Sequence, residues 1–429
     1  MSELKITKKK KRSNTFQTYI HKILKKNQPE FQISSKASEQ LNSFISTFCS
    51  TVSREARNAC FLVGKSTVSW KYLLVALGLV LPSSEVVSLK NQQPEIIKKY
   101  TVFAEGEKPV RRESRAGLTV SVALCEKYLR YFDFSFKNTP RKKNQCKISV
   151  SKQTSIMLAL VCEKILSEIL ELATIETKKY KKVIITPRHL HLAICGNDKM
   201  NHIKDACHIY FAGCGVVPHI KAEVLTTKRS KAVKNIKKYQ KSCDLLVQKR
   251  PFDRAVISIS KNVSILQTNP IRFKEGVFDC LQMLVEQKIV DLLKNAHDLA
   301  IHRNRDGVSG EDVDMAWKLT ERDIPFTSEC KYPDEEGKPL LQKEWGNDGI
   351  ERLSFRAGIK RKRKSMYDSI RCFTQALLEV VLYKSLLYVS NRGASTMSFQ
   401  DLKAAFESMG INFSVTRVTK PKKIKIPIE

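Results

Sequence analysis

The sequence predicts an all-α chain of four repeated units, each a short helix, loop, long helix, loop and short helix, packed as two pairs. Three observations lead there. A helix-start pattern recurs four times, each copy follows a long segment with an apolar stripe at helical spacing, and basic loops flank the long segments.

The four starts are "STVSWKYLLVA", "TPRHLHLAI", "GVSGEDVDMA" and "TMSFQDLKAA". Each places a hydroxyl residue at the cap: Ser69, Thr186, Ser309 and Ser398. Four residues on comes Leu73, Leu190, Val313 or Leu402, and seven residues on an alanine: Ala76, Ala193, Ala316 or Ala405. This is a short helix with one apolar stripe. Ser309 with Asp312 and Ser398 with Asp401 have capping-box spacing, with aspartate in place of glutamate. The long helices are expected over 34–62, 151–176, 273–302 and 365–391. Leu41, Phe44, Ile45 and Phe48 form one stripe; Ile165, Leu166, Ile169, Leu170 and Ala173 form another. Such helices carry more apolar surface than one unit can hide, so each unit needs a partner.

The copy "TPRHLHLAI" also raises a metal question. On a strand His189 and His191 would share a face and could hold one ion. On a helix they stand about 200° apart. Thr186 followed by Pro187 reads as a cap and first helical position, so no shared metal site is assigned. Cys207, His208, Cys214 and His219 form a loose group whose spacing fits no common zinc pattern. No metal and no cofactor are expected.

The formal net charge is +33 over 429 residues, with 12 cysteines and no C-x-x-C pair. The length allows two to four domains. Charge of that size calls for a polyanionic partner, and the thinly spread cysteines suit a reducing compartment. The longest apolar run, Tyr72 to Leu81, is too short to span a bilayer, and Lys8 to Arg12 has no apolar stretch behind it. Neither a membrane nor a small-molecule substrate is expected as partner. No nucleophile–base pair, phosphate loop or paired-carboxylate pattern stands out, so no enzyme is expected and no catalytic residue is assigned.

The chain resembles the four core histones, fused in the order two-B, two-A, three, four. "YIHKILKKNQPEFQISSKASEQLNSF" and "KSTVS" are similar to histone two-B; "SRAGL", "SEILELA", "TPRHLHLAI" and "GVVPHIKAEVL" to histone two-A. "IKKYQKSCDLLVQKRPFDR", "IRF" and "LAIH" resemble histone three, and "IERLSFRAGIKR" resembles histone four more distantly. Cellular histones are separate chains; fusions of this kind resemble those of large DNA viruses. The modules are then 16–100, 113–225 (with a docking segment), 226–325 and 346–417, with linkers 101–112 and 326–345 and basic tails 1–15 and 418–429.

The resemblance implies four histone folds paired as two heterodimers, the first loop of one module beside the second loop of its partner. Helix N-termini and basic residues there would face DNA phosphate. The residues so implied are Ser34, Ser35 and Lys36; Lys65, Ser66 and Thr67; Lys147, Lys181 and Lys182; Arg254 and Arg272; and Lys360 and Arg361. Arg272 and Arg361 are implied to enter the minor groove. Lys234, Lys237, Lys238 and Lys241 have helical spacing and would flank DNA where it arrives and leaves. His302, Arg305 and Asp312 match histone-three residues that join two copies across a two-fold axis, so that Asp312→Lys is expected to leave single chains. Glu163, Glu168, Glu171 and Asp198 match part of an acidic surface patch.

Departures qualify the match. Ile184 and Lys65 stand at arginine positions, Glu351 is acidic where histone four is basic, and Lys199 and Met200 replace acids of the patch. The implied function is structural: two chains wrap DNA, in chromatin of a host nucleus or viral factory and in the virion. A scaffold of the transcription-factor type is the alternative, which the charge opposes.

Overall fold

The computed structural model describes residues 15–101, 111–130, 148–211, 213–219, 231–263, 271–305, 307–327 and 345–414. They form two compact units, divided between Cys207 and His208. In the first, α1 (Gln17–Asn27), β1 (Gln32–Ile33), α2 (Ser35–Leu62), β2 (Thr67–Val68), α3 (Trp70–Val80) and α4 (Ser83–Thr101) build module one. Module two follows as α5 (Arg112–Arg115), α6 (Val122–Arg130), β3 (Ser149–Val150), α7 (Lys152–Lys179), β4 (Ile184–Ile185), α8 (Pro187–Cys195) and α9 (Asp198–Ala206).

The second unit opens with β5 (Ile209–Phe211) and the basic helix α10 (Lys231–Lys241). Module three is α11 (Lys249–Val263), β6 (Arg272–Phe273), α12 (Val277–His302), β7 (Gly307–Val308) and α13 (Gly310–Thr320). Module four is α14 (Asn347–Ala357), β8 (Arg361–Lys362), α15 (Ser365–Asn391), β9 (Thr396–Met397), α16 (Phe399–Ser408) and β10 (Asn412–Ser414).

All four long helices form where their stripes predict them. The third begins at Val277 rather than Phe273, for two reasons. Arg272 and Phe273 are drawn into a parallel pairing with Thr396 and Met397, and Gly276 takes φ +88°, outside any helix. Each long helix ends in the same way. Gly64, Lys181, Asn304 and Gly393 adopt a left-handed conformation, at φ 67°, 53°, 53° and 63°. The next amide then closes onto the last turn: Lys65 N on Cys60 O, Lys182 N on Thr177 O, Arg305 N on Ala300 O and Ala394 N on Val389 O. The reversal starts each short helix at its predicted cap. Asp312 accepts from Ser309 N (2.9 Å) and Oγ (2.8 Å), and Asp401 from Ser398 N (2.8 Å) and Oγ (2.7 Å).

Pairing occurs inside the chain. Modules one and two join through β1 with β4 and β2 with β3; modules three and four join through β6 with β9 and β7 with β8, all parallel. Phe44, Ile45 and Phe48 of α2 and Leu166 and Ile169 of α7 are fully buried in the first core. In the second, Trp317 stands edge-on to Phe373 at 5.3 Å and donates Nε1 to Ile324 O. Module three meets module four closely at Gly310, where a Cβ would lie 2.9 Å from Ser365 O.

α15 is long and apolar enough to cross a membrane, with 67% of its most apolar window buried. Ile370, Phe373, Leu377 and Leu382 face the protein interior, which accounts for that composition without a bilayer. β5 pairs in parallel with β10, so the strand that follows module two ends beside module four within the second unit.

Candidate nucleic-acid interface

Each module pair presents two loop edges, and the edges sort most of the sequence-predicted residues. At the first, Gln32 pairs with Ile184 and Ile33 with Ile185. Ser34 caps α2 by accepting from Ala37 N at 3.3 Å, which leaves Ser35 and Lys36 exposed beside Lys181 and Lys182. Val183 and Ile184 are also exposed, Ile184 at 49%, so this edge holds apolar surface where the family would place an arginine. At the second edge, Thr67 pairs with Ser149, and Lys65, Ser66 and Thr67 are exposed. Lys147 lies outside the described residues.

The second unit repeats the arrangement with arginines. Arg272 is exposed on β6 opposite Thr396, and Arg361 is exposed on β8 opposite Gly307, with Lys360 half-buried before it. Gly307 runs close beside Arg361: a Cβ there would sit 3.6 Å from Arg361 Cβ, an ordinary van der Waals contact. Lys152, Lys274, Arg363 and Lys364, which sequence reasoning did not single out, are exposed at the same edges. Their signal was position, at or just before a long-helix start.

The acidic departure at Glu351 is neutralised locally. Lys362 Nζ lies 2.9 Å from Glu351 Oε1 and 3.6 Å above the Phe355 ring. Burial lowers the Lys362 pKa, and Glu351 opposes that shift.

Lys234, Lys237, Lys238 and Lys241 are all exposed on one face of α10, while Val233, Ile236 and Gln240 are buried on the other. The helix packs on module four, with Tyr239 stacked on Phe355 at 6.2 Å. Arg356 holds the segment that follows by donating to Tyr239 O (3.3 Å), Ser242 O (3.4 Å) and Asp244 O (2.6 Å). Arg356 also lies 3.5 Å from the buried Glu286, which accepts from Leu246 N and Val247 N. Arg254 is exposed on α11. The Arg356–Glu286 anchor was not legible in sequence, because its members are 70 residues apart.

His302 and Arg305 are exposed, but Asp312 is 0% exposed. Its carboxylate is engaged by Ser309 and by Arg303 Nη1 at 3.2 Å. Arg392 bonds Asp401 in the same way at 2.6 Å. An arginine nine residues before the box aspartate is therefore a second repeat, at the end of the long helix, that the sequence reading missed.

Glu163, Glu168 and Glu171 line a groove of about 710 Å³ in the first unit, and Asp198 lies outside that lining. Glu163 accepts from Thr119 N (2.6 Å) and Val120 N (3.1 Å). Lys199 reaches Glu168 at 2.6 Å and Glu85 at 2.8 Å. Burial disfavours the Lys199 ammonium, yet its bonds to Glu168 and Glu85 prevail and raise its pKa. Only Glu171 and Asp198 of the four predicted acids stay exposed.

The histidine pair has a local explanation. His189 occupies the third position of α8, where its Nδ1 accepts from Thr186 N at 3.3 Å, and its ring stacks on Tyr180 at 5.5 Å. Burial, then the charge of Lys182, lowers its pKa below 6.5. An unfolded imidazole gains a proton below 6.5 that the folded one resists. His189 therefore supports stability above that pH, and the support is lost as pH falls through the folded value. Between pH 7 and pH 5, the wild-type melting temperature should fall further than that of His189→Gln. Parallel profiles for the two proteins would reject this assignment. Among the described residues, no group of three or more His, Cys, Asp or Glu is placed to hold a metal ion. Cys207 is buried in the first unit, while His208, Cys214 and His219 belong to the second.

Comparison with known proteins accords with this architecture. A family model for the core histone domain, spanning histones two-A, two-B, three and four, matches residues 137–196 and 228–319. The histone two-A variant Z of Lodderomyces elongisporus is 37% identical over 122 residues, covering 28% of this chain and 81% of that protein. The same variant of Meyerozyma guilliermondii is 35% identical over the same length and coverage. A histone-three-like protein of Encephalitozoon cuniculi is 31% identical over 97 residues, 23% of this chain and 66% of that protein. With four helix–loop–long helix–loop–helix modules paired through their loops, and with relatives of this identity and coverage, the chain belongs to the core histone family.

Proposed function

We propose that this protein packages double-stranded DNA, two chains wrapping it into a nucleosome-like particle with loosely held ends. The observation that carries this is the set of four loop edges, each with exposed basic residues or a helix N-terminus beside its partner loop, on a chain of charge +33. Helix N-termini and lysines bind phosphate without regard to sequence, and arginines favour a narrow minor groove. The modules are read as two-B, two-A, three and four, an order that resembles the fused histones of large DNA viruses. That reading places the protein in viral or host chromatin and in the virion. Family membership points to a structural role rather than a catalytic one.

Sedimentation of the purified chain with DNA, over a salt series and on several sequences, tests the proposal. Two chains per particle and a steep loss of affinity with salt are expected. A preference above about a thousandfold for one sequence at physiological salt would overturn it. The alternative reading, a transcription-factor scaffold, predicts weak DNA contacts and acidic partner surfaces, which the charge of +33 opposes.

The second copy would meet the first near His302 and Arg305. α13 also exposes Met315 at 40% and Leu319 at 57%, apolar surface that a partner could cover. Leu319→Glu should halve the mass of the DNA-bound protein while leaving the melting temperature within a few degrees of wild type. An unchanged mass would remove this face from the interface.

A further inference from the structure

Three thiols meet in the core of the first unit. Cys49 lies on α2 of module one, while Cys125 on α6 and Cys162 on α7 belong to module two; all are 0% exposed. Cys49 Sγ and Cys162 Sγ are 3.2 Å apart, 113 positions apart in sequence. The Cys125 thiol also shares a hydrogen bond with Cys162. A disulfide needs about 2.05 Å, so the Cys49–Cys162 pair is roughly 1.2 Å of sulfur movement from one. None of the three takes part in the DNA-facing edges.

We propose that Cys49 and Cys162 are an oxidisable pair whose disulfide locks modules one and two together at the crossing of their long helices. The chemistry balances with a peroxide as oxidant. One thiol takes oxygen from hydrogen peroxide to become a sulfenic acid and releases water. The second thiol then displaces the hydroxyl as a second water, and the S–S bond forms. Burial raises the Cys49 and Cys162 thiols above their ordinary range and excludes reagent, so the lock closes slowly, during openings of the core. Once closed it ties the two modules in any state of the DNA. The inference does not depend on DNA wrapping, because it concerns the fold of one unit.

The test uses the full chain with Cys146, Cys195, Cys243 and Cys330 changed to serine, which removes thiols that are only partly buried or outside the described residues. Diamide, which takes up two electrons and two protons to become its hydrazine, is added under native conditions, followed by alkylation in urea. Peptide mass spectrometry should find a Cys49–Cys162 link with neither thiol alkylated, and the melting temperature should rise by several degrees. Cys125→Ala should keep the link and Cys49→Ala should lose it, with circular dichroism showing that each variant is folded. Should Cys49→Ala fail to fold, the linked peptide in Cys125→Ala still decides the matter. Full alkylation of Cys49 and Cys162 after diamide, or a Cys125–Cys162 link instead, would overturn the proposal.

Discussion

Asp312→Lys is expected to destabilise the second unit rather than to release one chain from another. The sequence comparison placed Asp312 at a contact between copies, where a lysine would set like charges across an axis. The structure gives that carboxylate another task. It is fully buried, caps α13 through Ser309 N and Oγ, and receives Arg303 Nη1 at 3.2 Å. A lysine there removes the acceptor, buries an ammonium, and sets it against Arg303. Losing a helix cap costs about 1 kcal/mol, and breaking a buried ion pair costs roughly 3–5 kcal/mol. The Arg303 side chain is 35% exposed, so the lower end of that range applies. A loss of roughly 3–4 kcal/mol is a large part of a domain's stability, on the order of 5–15 kcal/mol. Urea denaturation should show the second unit unfolding at a clearly lower midpoint, with Asp312→Asn between the two because an amide oxygen can still accept at the cap. A folded Asp312→Lys protein of wild-type stability and half the assembled mass would restore the original reading.

Nuclease digestion of reconstituted particles should yield a protected fragment shorter than about 146 base pairs, the length of a full family wrap. The reason lies in how basic residues are shared between the units. Arg272 and Arg361 stand exposed on the loop edges of modules three and four, which by resemblance grip the central DNA. The edges of modules one and two offer Lys65 and Ile184 instead. Lysine is more strongly hydrated than arginine and lacks the planar fork, and isoleucine brings no charge. Two chains together carry twice +33 against roughly 290 phosphates, so the outer turns are bound by few contacts in any case. Arg361→Ala should make the centre of the wrap sensitive to nuclease and lower the salt concentration at which DNA is released. Ile184→Arg should lengthen the protected fragment. The substitution adds its charge beside Lys181 and Lys182, on a residue already 49% exposed, so folding should be unaffected. On the proposed wrap, tethering should keep the outer modules at high local concentration even where their DNA peels away. Full-length protection in wild type, unchanged by Ile184→Arg, would sink this account.

Much of the molecule was legible in its sequence, and the legible part shares one property. The helix starts at Thr186, Ser309 and Ser398, the boxes closed by Asp312 and Asp401, and the long stripes of α2 and α7 are all written in windows of a few turns. Capping bonds run from a residue to one three positions on, and the apolar period repeats about every 3.6 residues, so local spacing determines them. What the tertiary structure decided depends on residues far apart in the chain. The pairing of module one with two, and of three with four, inside one chain rests on strands such as Gln32–Ile33 with Ile184–Ile185. Spacing along the chain says nothing about which unit covers which apolar face. The fate of each charge was likewise decided by packing. Glu163 turned to the amides of Thr119 and Val120, Glu168 to Lys199, Asp312 to Arg303 and Glu351 to Lys362. A charged side chain takes whatever opposite charge or amide the fold brings within about 3 Å, the reach of a hydrogen bond. Sequence therefore determined the modules and their capped helices, while the arrangement of those helices determined which acids and bases were left to face a partner.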